Sequence, residues 1–435
     1  MKVIVGLGIT GLSCARFLAK RGVDFAVIDT RENPRYLSVF KQEFPNIPLY
    51  LGGWYPEVLA RVDEIIVSPG LDLKNTPIEK QIKQGKSVIG DIELFARFCQ
   101  APVVGITGSN GKSTVTTLLG EMAKASGLNV AVGGNLGIPV LDLLQQNGDA
   151  ELFVLELSSF QLELTRSLKL KAAVLLNVSP DHMDRYLNFN EYLSAKLRIY
   201  DDCEITVING DENLLDIGLI FGDKELCFFS SNKPSDGEFG LVGDVIYFGE
   251  QELIKASELK IQGRHQLNNL LAALSLGKAI NLPMNAMLDV AKKFAGLPHR
   301  CQFVRNYHDV AWYNDSKGTN VGATLAAIDG LSGPIILIAG GQAKGADFSI
   351  WRESVKEKVK TVILIGEDGP AIDRAICDVT NIIYADSMAE AVRVAARVAE
   401  FGDKVLLSPG CASFDMFRDF VDRGEQFTRL VRALC

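Results

Sequence analysis

The chain has 435 residues, of which 47% are hydrophobic and 23% charged, a balance typical of a globular protein with apolar material for two or three domains. Its formal net charge of -8 argues against non-specific nucleic-acid binding. The eight cysteines are scattered and form no C-x-x-C pair, which indicates free thiols rather than a zinc site or a disulfide framework. The sequence shows no signal-peptide pattern and no uninterrupted apolar run of about 18 residues, so we expect a cytoplasmic protein.

The first predicted unit begins with the apolar strand "KVIVG", which leads into the glycine-rich loop "GLGITG" at residues 6–11 and a helix that ends near Gly22. "DFAVID" and "EIIVSPG" follow as further strands. The loop has G-x-G-x-x-G spacing, and Asp29 at the end of the next strand is suited to a ribose hydroxyl. By itself this pattern fits NAD or FAD, another nucleotide, or merely a tight strand-to-helix turn.

A second unit starts at "APVVGITGSNGKST", which predicts a strand, a loop and a helix. Lys112 is placed to contact β- and γ-phosphate oxygens, and Ser113 offers a hydroxyl to Mg²⁺. A strict G-x-x-x-x-G-K-[ST] loop would have glycine at the position of Ile106, so the match is incomplete. An ATP-using enzyme is still favoured over a lysine that merely begins a helix. The buried strands "ELFVLEL" and "KAAVLLNVS" follow, and the pattern predicts short antiparallel strands between about Phe221 and Lys260.

After a helix around "NNLLAALSLGKAI", the segment "GLPHR" at residues 296–300 is expected to join two domains. "PIILIAGG", "TVILIG", "NIIYA" and "KVLLSPG" are four further strand candidates, and "FDMFRDFVDRGEQFTRLVRAL" is predicted to be one long final helix. Strands that alternate with helices favour parallel sheets with crossover helices. We therefore expect three α/β domains, at residues 1–92, 93–297 and 298–435.

Three single residues carry possible chemistry in the second unit. Glu156 ends an apolar strand, where a carboxylate can hold Mg²⁺, although a solvated strand end fits as well. His182 follows another strand, and a lone histidine is usually structural. Lys196 lies in the helix-like "NEYLSAKLRIYDD", and composition alone favours an exposed lysine there.

From "TGSNGKST" onward the sequence resembles the ATP-dependent amino-acid (Mur) ligases of peptidoglycan precursor synthesis, which share this loop with folylpolyglutamate synthases. "GGNLG", "ELSSFQL", "NVSPDHMDRY", "YLSAKLRIY", "GRHQLNN", "GLPHR", "NDSKGTN", "GGQAKGADF" and "LSPGCASFDMF" occur in the family's order. "NDSKGTN" and "SPGCASFDMF" look most like the branch that adds D-glutamate. The resemblance implies a Rossmann-like N-terminal domain, a central P-loop ATPase-type domain with a mostly parallel sheet, and a Rossmann-like C-terminal domain.

The resemblance also implies a role for each matched residue. The catalytic set is Glu156, His182, Lys196 and Lys112. ATP would be held by Gly108, Ser109, Asn110, Gly111, Lys112, Ser113, Thr114, Asn269, Arg300 and Asp315. The UDP-linked substrate would contact Ile9, Thr10, Asp29, Thr30, Arg31, Ser68, Gly70, Asn135 and His182. D-Glutamate would contact Lys317, Thr319, Lys344, Ser413 and Phe420.

Two Mg²⁺ ions are implied, with Ser113, Glu156, His182 and a carbamylated Lys196 as ligands. A neutral amine whose pKa is lowered by desolvation can take up CO₂ and become an anion. In the family's H-N-x-x-N motif this chain has Gln266 in place of the first Asn, which leaves the adenine contact open.

The implied reaction joins D-glutamate to UDP-N-acetylmuramoyl-L-alanine with cleavage of ATP, and "GLGITG" would then seat the UDP diphosphate. We expect a monomer that binds neither nucleic acid nor membrane. Another Mur ligase, a folylpolyglutamate synthase, an NAD-dependent dehydrogenase and a P-loop switch are the alternatives.

Overall fold

The computed structural model describes residues 1–183, 185–212, 224–261, 263–343 and 345–434. The strands of these residues form three separate sheets, each covered by helices. This confirms the predicted α/β class with mostly parallel sheets. Within the described ranges, no helix combines the length and the apolar character needed to cross a membrane.

The first sheet has five parallel strands in the spatial order β3-β2-β1-β4-β5, an order typical of nucleotide-binding folds. Its strands are β1 Lys2–Val5, β2 Phe25–Asp29, β3 Leu49–Leu51, β4 Glu64–Val67 and β5 Ser87–Ile89. Its helices are α1 Ile9–Lys20, α2 Leu37–Glu43, α3 Pro56–Arg61, α4 Pro77–Lys83 and α5 Asp91–Ala96. Strands β1 and β2 are almost wholly buried, because helices pack on both faces of the sheet.

The second sheet has nine strands in the order β14-β13-β12-β11-β10-β9-β6-β8-β7. These are β6 Val103–Thr107, β7 Val130–Gly134, β8 Leu152–Glu156, β9 Leu170–Leu175, β10 Cys203–Asn209, β11 Glu225–Phe229, β12 Phe239–Val242, β13 Val245–Phe248 and β14 Gln251–Lys255. Its helices are α6 Lys112–Ala125, α7 Val140–Gln146, α8 Ser159–Glu163, α9 Phe189–Leu197, α10 Arg264–Ala279 and α11 Met284–Lys293.

The prediction of short antiparallel strands between Phe221 and Lys260 is only partly correct. Strand β11 pairs parallel with β10, and the antiparallel pairing is confined to β12, β13 and β14. Residues 221–223 of that segment lie outside the described residues.

The third sheet has the order β15-β16-β20-β17-β18-β19. Its strands are β15 Gln302–Tyr307, β16 Val310–Asn314, β17 Ile335–Gly340, β18 Val359–Ile365, β19 Asn381–Tyr384 and β20 Lys404–Leu407. Its helices are α12 Val321–Gly330, α13 Arg352–Lys358, α14 Gly369–Ile376, α15 Met388–Val398 and α16 Phe420–Arg432. The antiparallel hairpin β15–β16 was not among the strands expected from sequence.

The predicted length of the last helix is wrong. Helix α16 begins at Phe420 and not at Phe414, because the Asp419 side chain accepts a hydrogen bond from the Asp422 N–H and caps the helix there. The cap fixes where the helix starts, and residues 414–419 form a turn and a bend before it.

The first and second sheets are joined through α5. Its buried Glu93 carboxylate accepts hydrogen bonds from the Arg166 N–H at 2.8 Å, the Ser167 N–H at 2.9 Å and the Ser167 hydroxyl at 2.8 Å. Arg97 of the same connection pairs with Glu93 at 3.0 Å and with Glu64 at 2.8 Å. These bonds fasten the end of the first unit to the second.

Candidate active site

The loop between β6 and α6 is built to surround phosphate groups. Gly108 has φ +154° and Gly111 has φ +84°, and a Cβ on Gly111 would stand 2.3 Å from Asn269 Oδ1, so the loop requires glycine at that position. Lys112 begins α6, and its Nζ donates to the carbonyls of Gly108 at 2.7 Å and Ser109 at 3.0 Å. Burial lowers the pKa of Lys112, and Glu156 opposes that shift. Backbone N–H groups and a cation at a helix N-terminus suit a polyphosphate.

Glu156 lies at the end of β8, beside this loop. Its Oε2 accepts a hydrogen bond from the Ser113 hydroxyl at 2.6 Å, and its Oε1 accepts one from Asn135 Nδ2 at 2.8 Å. Mg²⁺ prefers a carboxylate and a hydroxyl oxygen in this setting, next to substrate phosphates. The pair Ser113 and Glu156 therefore fits one of the two implied magnesium positions.

Lys196 is not the exposed helical lysine that composition favours. Its side chain in α9 is 2% exposed, its Nζ donates to the Gly108 carbonyl at 2.9 Å, and it lies 4.6 Å from the centroid of the Tyr192 ring. Burial, and then the charge of Lys112, hold the pKa of Lys196 well below its ordinary value. A buried amine of lowered pKa meets the chemical requirement for carbamylation.

His182 lies in the loop between β9 and α9, in the left-handed region with φ 57°. Its Nε2 is 3.7 Å from Asp181 Oδ2, and its ring packs edge-on to Phe160 at 4.9 Å between centroids. In the described part of the chain, no three His, Cys, Asp or Glu side chains are grouped to hold a metal ion. A second magnesium ion near His182 would therefore need other ligands, such as substrate phosphates and a modified Lys196.

The third unit contributes cations and a buried acid to the same cleft. Arg300 Nη2 donates to the Ser113 hydroxyl at 2.7 Å. Asp315 accepts hydrogen bonds from the Cys301 N–H at 3.0 Å and the Ser408 hydroxyl at 2.7 Å. Burial raises the pKa of Asp315 to about 7, although the Ser408 bond opposes the shift. Asp315 is thus held in place by two donors at the end of β16.

Lys317 is positioned against an aromatic ring. Its Nζ lies 3.9 Å from the centroid of Phe420, the first residue of α16. Burial, and then the neighbouring Arg300, lower the pKa of Lys317 to about 8. Thr319 lines the same cavity, and Ser413 is buried in the "SPGCASF" loop. Lys344, the other residue expected to hold D-glutamate, lies outside the described residues.

Arg423 is a positioning residue that sequence reasoning missed. Its fully buried guanidinium donates to the Ser316 carbonyl at 2.9 Å and to the Cys411 carbonyl at 3.1 Å. The Ser316 hydroxyl in turn donates to the Phe420 carbonyl at 2.8 Å. One arginine therefore connects the segments that carry Lys317, Ser413 and Phe420.

Two adjacent cavities open on the two sides of the phosphate loop. One has a volume of about 410 Å³ and is lined by Gln266, Asn269 and Asp315; the other has about 720 Å³ and is lined by Asn135, Glu156, His182, Lys317, Thr319 and Phe420. Both are lined by Asn110, Gly111, Arg300 and Lys317. Most of the residues expected to bind ATP, metal and amino acid thus line these two adjoining cavities, whereas Gly108, Lys196 and Ser413 line neither.

Asn320 closes this cleft and was also missed. Its Nδ2 donates to Asn110 Oδ1 at 3.3 Å and to Asp181 Oδ2 at 3.2 Å, while its Oδ1 caps α12 by accepting the Ala323 N–H at 2.8 Å. Nearby, a Cβ on Gly322 would stand 2.8 Å from Ser179 Oγ, so the two units approach closely here. Asn320 is the last residue of "NDSKGTN", so this motif could have indicated that Asn320 belongs to the site.

The glycine loop of the first unit lies outside the linings of both cavities. A Cβ on Gly11 would stand 1.9 Å from the Gly6 carbonyl oxygen, so this glycine allows α1 to pack on β1. The Ser68 hydroxyl donates to the same carbonyl at 2.9 Å. Ile9 is exposed and Thr10 partly exposed at the start of α1, Thr30 is partly buried, and Gly70 is exposed.

Asp29 is the buried anchor of this loop. Its Oδ2 accepts the Leu7 N–H at 2.7 Å, and Arg31 Nη2 donates to it at 2.7 Å. Burial alone would raise the pKa of Asp29, but the bonds from Arg31 and Leu7 outweigh burial and hold it below its ordinary value. The exposed Arg31 guanidinium, rather than Asp29, faces solvent beside the loop.

Three family models match the chain in succession. They are described as "Mur ligase MurD-like, N-terminal domain" over residues 1–90, "Mur ligase middle domain" over residues 106–277, and "Mur ligase, glutamate ligase domain" over residues 299–411. The chain belongs to the Mur ligase family, an ATP-dependent class of peptide-forming enzymes.

Curated relatives cover the whole length. The UDP-N-acetylmuramoylalanine–D-glutamate ligase of Coxiella burnetii (strain RSA 331 / Henzerling II) is 51% identical over 440 residues, which is 100% of this chain and 99% of that protein. The protein of the same name from Marinobacter nauticus is 49% identical over 99% of this chain and 98% of its own length. The match thus extends over nearly the whole length of these two relatives.

Solved structures support the fold. The UDP-N-acetylmuramate–alanine ligase MurC of Thermotoga maritima aligns with a TM-score of 0.61 at 16% identity and covers 99% of each chain. A pseudomurein peptide ligase type C of Methanothermus fervidus also has a TM-score of 0.61, at 19% identity, with 93% of this chain and 96% of that chain covered. At such identities the likeness is one of architecture.

Proposed function

We propose that this chain joins D-glutamate to UDP-N-acetylmuramoyl-L-alanine, with cleavage of ATP to ADP and phosphate, in peptidoglycan precursor synthesis. The relatives of this name match it from end to end at about half identity. The observation that carries the proposal is the single cleft in which Lys112 and Ser113 of the phosphate loop meet Arg300 and Lys317 of the third unit.

Each domain has one part of the task. Residues 1–92 bind the UDP-linked substrate at the "GLGITG" loop, with Ile9, Thr10 and Arg31 at its surface. Residues 93–297 bind ATP and Mg²⁺, and residues 298–435 bind the incoming amino acid and close on the nucleotide. In the smaller cavity, Arg300 then contacts a phosphate of ATP and Asp315 contacts the ribose. Asn269 lines the part of this cavity that would receive the nucleobase.

In the first step the alanyl carboxylate attacks the γ-phosphorus, the bond to the β-phosphate oxygen breaks, and an acyl phosphate and ADP form. Two anions must approach each other, so positive charge at the site lowers the barrier. Lys112, Arg300 and Lys317 supply that charge from fixed positions around the loop. Ser113 and Glu156 would hold one Mg²⁺, and His182 with carbamylated Lys196 would hold a second; when bound, these ions would add charge neutralisation at the phosphate oxygens.

In the second step the neutral amine of D-glutamate attacks the acyl carbon. The tetrahedral intermediate expels phosphate, the nitrogen loses a proton, and the amide remains. Lys317, with Thr319, Ser413 and Lys344, holds the carboxylates of the amino acid, because a dicarboxylate needs cationic and hydroxyl donors. The protein lowers the barrier of this step mainly by orienting the amine against the carbonyl.

A phosphate-release assay tests the proposal. Purified chain receives ATP, Mg²⁺, UDP-N-acetylmuramoyl-L-alanine and one amino acid from a panel that includes both glutamate enantiomers, L-alanine and diaminopimelate. Phosphate release that requires both the UDP-linked substrate and D-glutamate supports the proposal. Parallel reactions replace the UDP-linked substrate. Release that requires L-glutamate and a folate supports a folylpolyglutamate synthase instead, and release with L-alanine and UDP-N-acetylmuramate, or with diaminopimelate and UDP-N-acetylmuramoyl-L-alanyl-D-glutamate, supports another Mur ligase. Release without any amino acid supports a P-loop switch.

The NAD-dependent dehydrogenase suggested by "GLGITG" alone has no counterpart in the three matched family models. We further propose a cytoplasmic monomer that binds neither nucleic acid nor membrane. Light scattering on the purified chain measures its mass, and a dimer mass would contradict that part.

A further inference from the structure

Charged side chains connect the first unit to the loop that carries His182. Lys74 Nζ donates to the Arg185 carbonyl at 3.0 Å and lies 3.4 Å from Glu191 Oε2, and Arg185 Nε lies 3.8 Å from Asp72 Oδ1. We call these four residues, Asp72, Lys74, Arg185 and Glu191, the interdomain bridge. The bridge crosses between the first and second sheets at a point separate from the Glu93 contacts.

On the side of the second unit, the bridge reaches His182 by two routes. The Arg185 N–H donates to the His182 carbonyl at 2.9 Å. The Arg185 guanidinium carbon lies 4.5 Å from the Phe160 ring centroid, and that ring packs against the His182 ring at 4.9 Å. The Arg185 side chain is only 14% exposed, so its position is fixed by packing as well as by charge.

On the side of the first unit, the bridge directly follows the segment proposed to enclose the UDP-linked substrate. Asp72 and Lys74 come just after the Ser68–Gly70 stretch, and the Lys74 N–H donates to Asp72 Oδ1 at 2.9 Å. This short turn presents both side chains to Arg185 and Glu191. Ser68 is itself bonded to the Gly6 carbonyl of the glycine loop. We therefore expect a displacement of the Ser68 segment to reach the bridge through the intervening backbone.

We propose that Arg185 is a positioning residue and that the interdomain bridge couples occupation of the UDP-substrate site to the placement of His182 at the ATP cleft. The proposal rests on the proposed function. Binding at the "GLGITG" and Ser68 loops holds the turn of Asp72 and Lys74 in place, and the turn then holds the His182 loop through Arg185. Without the bridge, His182 and the first unit move independently.

The expected size of the effect follows from exposure. Lys74 and Glu191 are 41% and 39% exposed, and such pairs are worth about two- to fivefold in an equilibrium or rate. Arg185 is less exposed and stacks on an aromatic ring, so its loss costs about tenfold or more. Because salt screens the exposed pair, the coupling falls as ionic strength rises.

Steady-state kinetics on a double-mutant cycle tests the bridge. Lys74→Met and Glu191→Gln are measured singly and together; the glutamine keeps an acceptor for the Leu187 N–H, which Glu191 now accepts at 2.6 Å. We expect each single variant to raise KM for the UDP-linked substrate about two- to fivefold and the double variant to add little more. Fully additive effects, or no effect at all, would overturn the coupling.

A matched ion pair provides the control. Lys292 and Glu258 lie 2.9 Å apart with 46% and 44% exposure, close to the values of the Lys74–Glu191 pair. Lys292→Met is expected to leave kcat and KM unchanged. For Arg185, the variant Arg185→Lys keeps the charge and should retain more activity than Arg185→Gln; equal losses in both would speak against a charge-dependent bridge.

Histidine NMR separates positioning from folding. The chain has four histidines, so ring signals of ¹⁵N-histidine-labelled protein are resolvable, and His182→Gln assigns the His182 signal. In the unmodified chain, added UDP, which fills the proposed glycine-loop site but lacks the muramoyl-alanyl end that would meet His182, should shift that signal; in Arg185→Gln the shift should be lost while the other three signals stay. An unchanged His182 response in Arg185→Gln overturns the inference. If the unmodified chain itself releases no phosphate with the UDP-linked substrate and D-glutamate, the proposed function fails instead.

Discussion

The Arg300 guanidinium donates a hydrogen bond to the Ser113 hydroxyl at 2.7 Å, and that hydroxyl donates to Glu156 Oε2 at 2.6 Å. Arg300 and Ser113 are 187 residues apart in the chain. A cation of the third unit thus contacts Ser113 and, through the Ser113 hydroxyl, is linked to Glu156, the two residues that we propose to hold Mg²⁺. We therefore expect closure of the third unit and assembly of the phosphate site to be coupled.

Replacing Arg300 tests this relationship. Arg300→Lys keeps a positive charge but loses the planar fork of donors, so it cannot contact Ser113 and a phosphate together. We expect kcat/KM for ATP to fall about ten- to hundredfold, the range for losing a hydrogen bond to a charged group. Phosphate release at varied ATP concentration measures the loss. Arg352→Lys, which alters an exposed pair with Asp378 in the same unit, should behave as the unmodified chain.

The pH dependence of D-glutamate binding should follow Lys317. Its pKa lies at about 8, so the protonated fraction that attracts a carboxylate falls as pH rises through that value. We expect KM for D-glutamate to rise between pH 7 and pH 9. The variant Lys317→Arg, whose side chain keeps its charge throughout this range, serves as the reference and should show a flatter profile. Identical profiles in both proteins would contradict the role of Lys317.

Carbamylation of Lys196 is directly observable. In ¹³C-bicarbonate the unmodified chain should show a carbamate signal by ¹³C NMR that is missing from Lys196→Arg, since a guanidinium keeps its charge and takes up no CO₂. Activity of Lys196→Arg should fall by more than about a hundredfold. This loss would exceed the usual effect of replacing a residue that only hydrogen-bonds to a metal ligand. Lys171→Arg, at an exposed lysine paired with Glu204, should retain both activity and signal. An active enzyme with only free amine at Lys196 would refute the modification.

The close approach of the second and third units can be tested at Gly322. In Gly322→Val the added side chain meets Ser179, since even a Cβ would stand 2.8 Å from Ser179 Oγ and 3.0 Å from its Cβ. Overpacking of this kind costs about 1–3 kcal/mol, so we expect closure to be disfavoured and kcat to fall about five- to hundredfold. The double variant with Ser179→Gly restores space and should recover part of the activity. A drop that Ser179→Gly leaves unchanged would point away from this contact.

Sequence patterns predicted those parts of the molecule that depend on local rules. Glu156 lies at the end of β8 and Lys112 at the start of α6, as predicted. Both positions could be predicted because apolar runs and glycine spacing indicate where strands end and helices begin. The "GLGITG" spacing predicted the turn and the packing of Gly11 but left the ligand open. The order of motifs along the whole chain favours a UDP-linked substrate at this loop, and that assignment stays a prediction.

Other features depend on distant partners and left little local trace. Lys196 is buried because α9 packs against the phosphate loop, and Arg423 because loops 107 and 12 residues away supply its acceptors. The β15–β16 hairpin turns at His308 and Asp309, both with positive φ of 50° and 58°, and carries no glycine at its turn. The composition of that turn therefore gave no hairpin signal.

The Glu93 cluster has a mechanical consequence. A buried carboxylate with three donors from residues 166–167 resists separation, whereas the third unit is held to the second through polar contacts such as Asn320 with Asn110. When the chain is pulled from its two ends, the third unit should detach first, and the other two should give way together at higher force. A protease that cuts within residues 296–300 would accordingly release a fragment of the first two units as one stable piece.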